Sequence, residues 1–340
     1  MIYAIIYLME ISKLPELLAK EPKYRQAQVK QALFRDLIND WEAATGLPKK
    51  LRQELNEKCP LHTKAELSTS SDKLTSKALI TLADGKAIEV VLMRHEDGRN
   101  TVCVSCMVGC PMNCAFCATG SMGLGRNLTT DEIIIQVLFF ARLLKADKER
   151  VGSVVFMGMG EPLLNYDNVM AAIRRLQSPD GFNIGARHIS ISTCGILDGI
   201  KKLAQEDLPV NLAISLHGSN NTVRRQLMPI ARIYTIRQLL QTVDEYIAQT
   251  KRKVMFEYLM ISGVNDLDEH ALELAKLMKN KLAFVNLIQY NPTGKFTASS
   301  GKQMSRFKNI LEKNGVTITM RYRFGRDIKG ACGQLATKKK

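Results

Sequence analysis

The apolar positions of this chain follow two rhythms. Over residues 11–58 they recur three and four apart, with Leu14, Leu17 and Leu18 in one set and Val29, Ala32, Leu33 and Leu37 in another. That spacing places each set on one helix face and predicts a small helical module closed by Cys59-Pro60. The rhythm then changes. Residues 78–82 and 87–93 are strand-like and flank Asp84-Gly85, the pattern of a β-hairpin.

From about residue 100 the two rhythms alternate. Strand-like runs at 101–107, 153–157, 188–192, 210–216, 254–260, 284–290 and 316–321 are mostly separated by helical patterns, including 129–144, 166–176, 236–248, 267–278 and 302–312. The first of these helices opens on Thr129-Thr130-Asp131-Glu132, a capping-box pattern. Repeated βα units imply a parallel sheet. The expected class is α/β: a partial (β/α)6, TIM-like barrel with a small N-terminal helical domain and a short β-hairpin linker. The expected boundaries are 1–60 for the helical domain, 61–95 for the hairpin, 96–335 for the core and 336–340 for a basic tail. In such barrels the chemistry lies at the C-terminal strand ends.

Composition narrows the function. The 340 residues are 46% hydrophobic, and no apolar run is long enough to span a membrane. The apolar opening Met1–Met9 lacks a basic flank and ends at Glu10, so a secretory leader is not expected. Eight cysteines without such a leader point to a reducing compartment and to metal or redox chemistry. A net charge of +15 suggests a polyanionic partner. Lys23, Arg25, Lys30, Arg35, Lys49, Lys50 and Arg52 make the helical module a candidate RNA-docking surface, against the plain alternative of a solvated helix face. Arg174-Arg175, Arg224-Arg225, Lys251-Arg252-Lys253, Arg321, Arg323 and Arg326 are further candidates for phosphate contacts.

Three soft ligands stand together in Cys110-Pro-Met-Asn-Cys114-Ala-Phe-Cys117. Pro111 and Asn113 disfavour a regular helix, so the segment reads as a loop around something. Thiolates select iron–sulfur clusters, zinc or copper(I). Gly158-Met-Gly-Glu161-Pro162 follows the second strand, but Leu163 stands where a dinucleotide fingerprint needs its third glycine. Small polar groups also close later strands, in Ser192-Thr-Cys-Gly195, Ser215-Leu216-His217 and Gln289-Tyr-Asn291. Each alone is weak, since hydroxyls at strand ends often only cap helices.

The cysteine loop resembles that of the radical S-adenosylmethionine enzymes. Together with Cys103, Gly-Met-Gly-Glu-Pro-Leu-Leu-Asn165 and the ending Phe324-Gly-Arg-Asp-Ile-Lys-Gly-Ala-Cys332-Gly-Gln-Leu335, nearly the whole chain resembles the RlmN/Cfr family of RNA methyltransferases. The resemblance implies a 4Fe-4S cluster on Cys110, Cys114 and Cys117. It implies S-adenosyl-L-methionine held by Gly160, Glu161, Ser192, Ser215, Leu216, His217 and Asn291. One such cofactor molecule methylates Cys332, and a second yields the 5′-deoxyadenosyl radical that takes hydrogen from it. The resulting carbon radical joins the protein to the base, Glu89 accepts the proton, and Cys103 releases the product by forming a disulfide with Cys332. The implied target is adenine C2, at adenosine 2503 of 23S rRNA and adenosine 37 of tRNA, with C8 of adenine as the alternative within the family. An external electron donor and a thiol reductant are implied partners. No membrane partner is expected, and a cytoplasmic monomer is.

Cys106, Met107, Cys194 and Gly330 depart from the family's more frequent residues without removing a required group. If residues 101–107 form a strand, Cys103 and Cys106 point to opposite faces. One reading from another class stands beside this one. Cys103-x2-Cys106 and Cys114-x2-Cys117 could form a non-catalytic, zinc-containing RNA-binding module, which would leave Cys110, Cys332 and the Gly-Met-Gly-Glu-Pro loop without a use.

Overall fold

The structure is a computed structural model and describes residues 11–320 and 325–337. The apolar opening, Arg321, Arg323, Phe324 and the lysines at 338–340 lie outside the described residues.

The N-terminal part holds α1 (Leu14–Leu17), α2 (Lys23–Phe34) and α3 (Lys49–Lys58). Pro22 and Pro48 stand immediately before α2 and α3, where no intrahelical N–H is needed. Leu33, Trp41 and Leu55 are fully buried, and Trp41 Nε1 donates to the Cys59 carbonyl at 2.7 Å. Several of the module's cations are occupied within the chain. Lys30 pairs with Asp180 at 2.9 Å, Arg35 donates to the Pro179 carbonyl at 2.7 Å, and Arg52 pairs with Glu42 at 3.1 Å. Lys23, Lys49 and Lys50 are exposed.

The strands are β1 (Ala65–Thr69), β2 (Thr75–Thr81), β3 (Ala87–Arg94), β4 (Asn100–Cys103), β5 (Met107–Gly109), β6 (Leu124–Asn127), β7 (Ser153–Phe156), β8 (Ile189–Thr193), β9 (Asn211–Ser215), β10 (Val254–Met260), β11 (Ala283–Gln289) and β12 (Ile318–Met320). Ten of them form one sheet in the order β1-β2-β3-β4-β7-β8-β9-β10-β11-β12. Neighbours from β4 to β12 are parallel, and those from β1 to β4 are antiparallel. The crossovers are α4 (Thr130–Ala146), α5 (Tyr166–Gln177), α6 (Leu197–Ala204), α7 (Asn221–Leu227) with α8 (Ile236–Thr250), α9 (Asp268–Met278) and α10 (Gly301–Lys313). This gives the six βα units that the alternating pattern predicts, followed by a further parallel strand. The hairpin does more than link, because β2 and β3 continue the barrel's sheet.

One expected strand is two. The run at 101–107 leaves the sheet after Cys103 because polar side chains take over the backbone. The Ser105 N–H donates to Gln136 Oε1 at 2.8 Å, and its hydroxyl donates to the Glu89 carbonyl at 2.6 Å. Met107–Gly109 then pairs only with β6, so the two form a ribbon that frames the cysteine loop. Among the described residues no helix is long and apolar enough to cross a membrane.

Candidate active site at the C-terminal strand ends

The loop between β5 and β6 is fixed from three directions. The Cys110 N–H donates to the Gly123 carbonyl at 2.8 Å, the Ala115 N–H to the Leu227 carbonyl of α7 at 2.9 Å, and the Ala118 N–H to the Gly333 carbonyl at 2.8 Å. Cys110, Cys114 and Cys117 line one cavity. Gly160 and Glu161 after β7, Ser192 and Cys194 around the end of β8, and Ser215 and His217 around the end of β9 form much of its remaining wall. Glu257 of β10 and Cys332 complete it. A larger open groove of about 1300 Å³ between α7, α8 and α9 has no cysteine or histidine in its lining.

The cavity's charge suits a cation. Its lining holds Glu161 and Glu257 and neither lysine nor arginine. Glu161 is buried, and its carboxylate accepts the Cys194 N–H at 2.8 Å and the Leu163 N–H at 3.1 Å. Burial pushes its pKa upward, so an arriving ammonium would stabilise the charged form. Ser192 Oγ donates to Glu257 Oε2 at 2.8 Å, and Ser215 Oγ reaches the same oxygen at 3.4 Å. Burial, helped by Arg224, lowers the His217 pKa to about 3. The ring is therefore neutral, accepts the Leu259 N–H on Nδ1 at 3.1 Å, and meets Phe116 edge-on at 4.8 Å. Burial pushes the Cys110 thiol up to about 12 and raises Cys114 as well. A metal that takes these groups as thiolates offsets that burial.

The segment carrying Cys332 is stitched across the site. Thr119 Oγ1 donates to the Leu335 carbonyl at 2.5 Å, Asn291 Nδ2 to the Cys332 carbonyl at 3.3 Å, and the Ala336 N–H to Glu89 Oε2 at 2.8 Å. Lys77 of β2 and Cys103 of β4 both register against Val91 of β3. Residues directly opposite in antiparallel pairs share a face, and Glu89 lies two residues from Val91. Lys77, Glu89 and Cys103 therefore stand on one face of the sheet. Lys77 Nζ lies 2.7 Å from Glu89 Oε1 and donates to the Lys329 carbonyl at 3.4 Å, so the segment leading to Cys332 covers this face.

The Radical SAM superfamily pattern matches residues 104–275. The chain is 44% identical over 334 residues to the Symbiobacterium thermophilum protein named Probable dual-specificity RNA methyltransferase RlmN, covering 96% of this chain and 90% of the relative. It is 43% identical to the Ribosomal RNA large subunit methyltransferase N of Nitrosopumilus maritimus, covering 93% of each. The crystal structure of a radical SAM methyltransferase from Sphaerobacter thermophilus superposes with a TM-score of 0.92 at 43% identity, covering 97% of this chain and 98% of that one. The chain belongs to the RlmN family. It is an S-adenosylmethionine-dependent RNA methyltransferase of the radical type, which sets aside the non-catalytic zinc reading. Membership implies a 4Fe-4S cluster and S-adenosylmethionine, and the residues present fit both. Among the described residues no three His, Cys, Asp or Glu side chains converge closely enough to share one metal ion. The three loop thiols line one cavity wall together. Asn291 Oδ1 is buried with no hydrogen-bond partner among the described residues. Gly160 adopts φ +106, and a Cβ there would lie 2.7 Å from Met107 Cβ and 2.9 Å from Cys106 Sγ.

For this RlmN-family chain, the residues expected at the site sort into three groups. Cys110, Cys114, Cys117, Gly160, Glu161, Ser192, Ser215, His217 and Cys332 share the cavity. Glu89, Cys103 and Asn291 are outside its lining, although Glu89 and Asn291 bond to the segment that carries Cys332. Leu216 stands between Ser215 and His217 of the cavity, with its side chain fully buried in the core and its N–H donating to the Glu257 carbonyl at 3.1 Å. Cys106 lies outside any strand, with its sulfur beneath Gly160. Arg224 needs correction as a phosphate contact, since it is 1% exposed. Glu257 went unnoticed in the sequence, where its signal is a lone carboxylate inside an apolar strand.

Proposed function

We propose that this enzyme methylates C2 of an adenine in RNA, at adenosine 2503 of 23S rRNA and adenosine 37 of tRNA. The observation that supports it is Cys332 on the wall of the same cavity as Cys110, Cys114 and Cys117. Those three thiols would hold the cluster. Gly160, Glu161, Ser192, Ser215, His217 and Asn291, together with Glu257, would hold S-adenosylmethionine. When bound, these groups supply the methyl carbon and, from a second cofactor molecule, a 5′-deoxyadenosyl radical.

The remaining work falls to the chain's own side chains. The Cys332 thiolate takes the methyl group and forms a sulfur–carbon bond. After this carbon loses a hydrogen atom it adds to C2, and the RNA becomes covalently attached to Cys332. Glu89 accepts the proton displaced from C2 while the adduct gives up its unpaired electron to a one-electron acceptor, which restores the aromatic ring. Cys103 then attacks the Cys332 sulfur: a disulfide forms, the sulfur–carbon bond breaks, and the carbon leaves with the RNA as a methyl group once protonated. The step resembles thiol–disulfide exchange with a carbon leaving group. An external thiol reductant restores both cysteines, and an external one-electron donor serves the cluster. The exposed Lys23, Lys49 and Lys50 support RNA docking by the N-terminal helices. In this reading residues 1–60 are the RNA-docking domain, and the enzyme acts as a cytoplasmic monomer.

Anaerobic enzyme with S-adenosylmethionine, a reductant and a 23S rRNA fragment tests the reading, with a tRNA in a second reaction. Nucleoside digests should contain 2-methyladenosine. Finding 8-methyladenosine instead would move the chemistry to C8, and finding neither would end the proposal.

A further inference from the structure

We infer that Arg224 is the counter-charge of the iron–sulfur cluster, acting on Cys114 and through the backbone of Cys194 to make the cluster easier to reduce. The inference rests on the proposed binding of the cluster by Cys110, Cys114 and Cys117.

In the sequence, Arg224-Arg225 reads as a surface pair. The fold separates the two residues, leaving Arg225 exposed and Arg224 1% exposed. A buried cation without an anion costs several kcal/mol. Among the described residues the Arg224 side chain makes one hydrogen bond, from Nη2 to the Cys194 carbonyl at 2.6 Å. Its Nε and Nη1 are buried with no hydrogen-bond partner among the described residues. Val223 and Leu227 of the same helix as Arg224 pack with Cys194 in one buried cluster, and Cys114 packs against that cluster. Cys114 is the one that becomes a thiolate when it ligates iron.

The surroundings are shaped for this side chain. A Cβ on Gly218 would lie 2.8 Å from the Arg224 backbone nitrogen and 3.0 Å from its Cβ, and a Cβ on Gly195 would lie 3.4 Å from Nη2. Arg224 also sits on α7, whose Leu227 carbonyl accepts the Ala115 N–H of the cysteine loop at 2.9 Å. The same short helix therefore clamps the loop and carries the cation.

Three thiolates give a cluster site negative charge, and the electron that reduces the cluster adds more. The potential of such a cluster follows its net charge and the hydrogen bonds to its sulfurs. A buried cation on the helix that packs against Cys114 favours the reduced form, and the thiolate in turn compensates the buried cation. Arg224 is a positioning and electrostatic residue, because it does not line the cavity itself.

The test is an electron-paramagnetic-resonance redox titration of wild-type, Arg224→Lys and Arg224→Met holoenzymes without S-adenosylmethionine, with iron and sulfide measured for each. At a fixed potential the reduced-to-oxidised ratio should be about tenfold lower in Arg224→Met, or 59 mV for a one-electron couple. Arg224→Lys should stay within about twofold of wild type. An unchanged ratio in an iron-replete Arg224→Met protein overturns the inference. So does an equal shift in Arg224→Lys, which would make the role one of packing. Wild-type protein that binds no iron would instead refute the cluster assignment beneath it. Should Arg224→Met fail to fold, wild-type protein with nitrogen-15 in its arginine guanidinium groups decides. Hyperfine coupling between that nitrogen and the reduced cluster supports the inference, and its absence overturns it.

Discussion

The Glu89 carboxylate accepts the backbone N–H of Ala336 at 2.8 Å, so a hairpin strand is bonded to a residue four positions beyond Cys332. The other carboxylate oxygen lies 2.7 Å from Lys77 Nζ. Both contacts hold the carboxylate on the face that also carries Cys103. Glu89→Gln should retain iron and cofactor cleavage while RNA methylation falls by about 10²–10⁴-fold, the usual contribution of a general base. Product counting on digested RNA, alongside 5′-deoxyadenosine, checks this. Equal losses in both products would point to a structural role.

Lys77 and Glu89 form a largely buried pair, with side-chain exposures of 15% and 7%. Removing one partner strands the other charge. Lys77→Met should destabilise the protein by about 3–5 kcal/mol, and adding Glu89→Gln should recover most of that loss. Denaturant unfolding of the two single variants and the double variant measures the coupling, and purely additive effects would refute it.

Replacing Cys110, Cys114 or Cys117 one at a time by Ala should abolish cluster retention and cofactor cleavage, because two thiolates do not hold the cluster reliably. Iron and sulfide assays on anaerobically purified protein provide the measurement. A Cys114→Ala protein with full iron that still made 5′-deoxyadenosine would contradict the ligand set.

Cys332→Ala should keep its cluster and transfer no methyl group to RNA. Cys103→Ala should fail later, accumulating protein joined to RNA through Cys332. Cys106 is packed beneath Gly160 at the start of a different ribbon, so Cys103→Ala and the Cys103→Ala, Cys106→Ala double variant should behave alike. Denaturing gels should show an RNA-bearing band that nuclease returns to the free protein. Multiple turnover by the double variant without that band would eliminate the two-cysteine release.

His217 gives folding a proton dependence. Its pKa falls from 6.5 to about 3 on folding, so the neutral ring is favoured in the folded state. The associated stability is fully present above about pH 6.5 and is lost as pH falls toward 3, at about 1.4 kcal/mol per unit. His217 has φ 53, a conformation Asn tolerates. His217→Asn should therefore fold and show an acid limb shallower by one proton. An unchanged limb in chemical denaturation between pH 4 and 6.5 would contradict this.

Legibility in the sequence followed how each element is covered. The buried β10 run at Val254–Met260 is apolar apart from Glu257 and matches its expected bounds. The α4 start is written in Thr129 and Glu132, whose reciprocal capping bonds are both present. By contrast, α6 and α7 have eight and seven residues, too few to establish a period. β1 is an edge strand with four exposed positions, so it lacks an alternating apolar signature. At the site, thiols, glycines and hydroxyls stood out because their chemistry is local. Arg224 and Glu257 did not, because burial is decided by distant chain segments and neither residue type reveals it.

The register Lys77–Val91–Cys103 has a consequence for chimeric enzymes. Residues 61–95 read as a connector between an RNA-docking module and a core, the kind of boundary at which segments are exchanged. Yet β2 and β3 carry the cation and carboxylate beside Cys103, and they hold the segment that presents Cys332. On the roles proposed for Glu89 and the N-terminal helices, a graft cut near residue 95 would import another enzyme's proton acceptor together with its RNA preference. Altered substrate choice and altered proton removal would then arrive as one trait, whereas a cut near residue 60 would separate them.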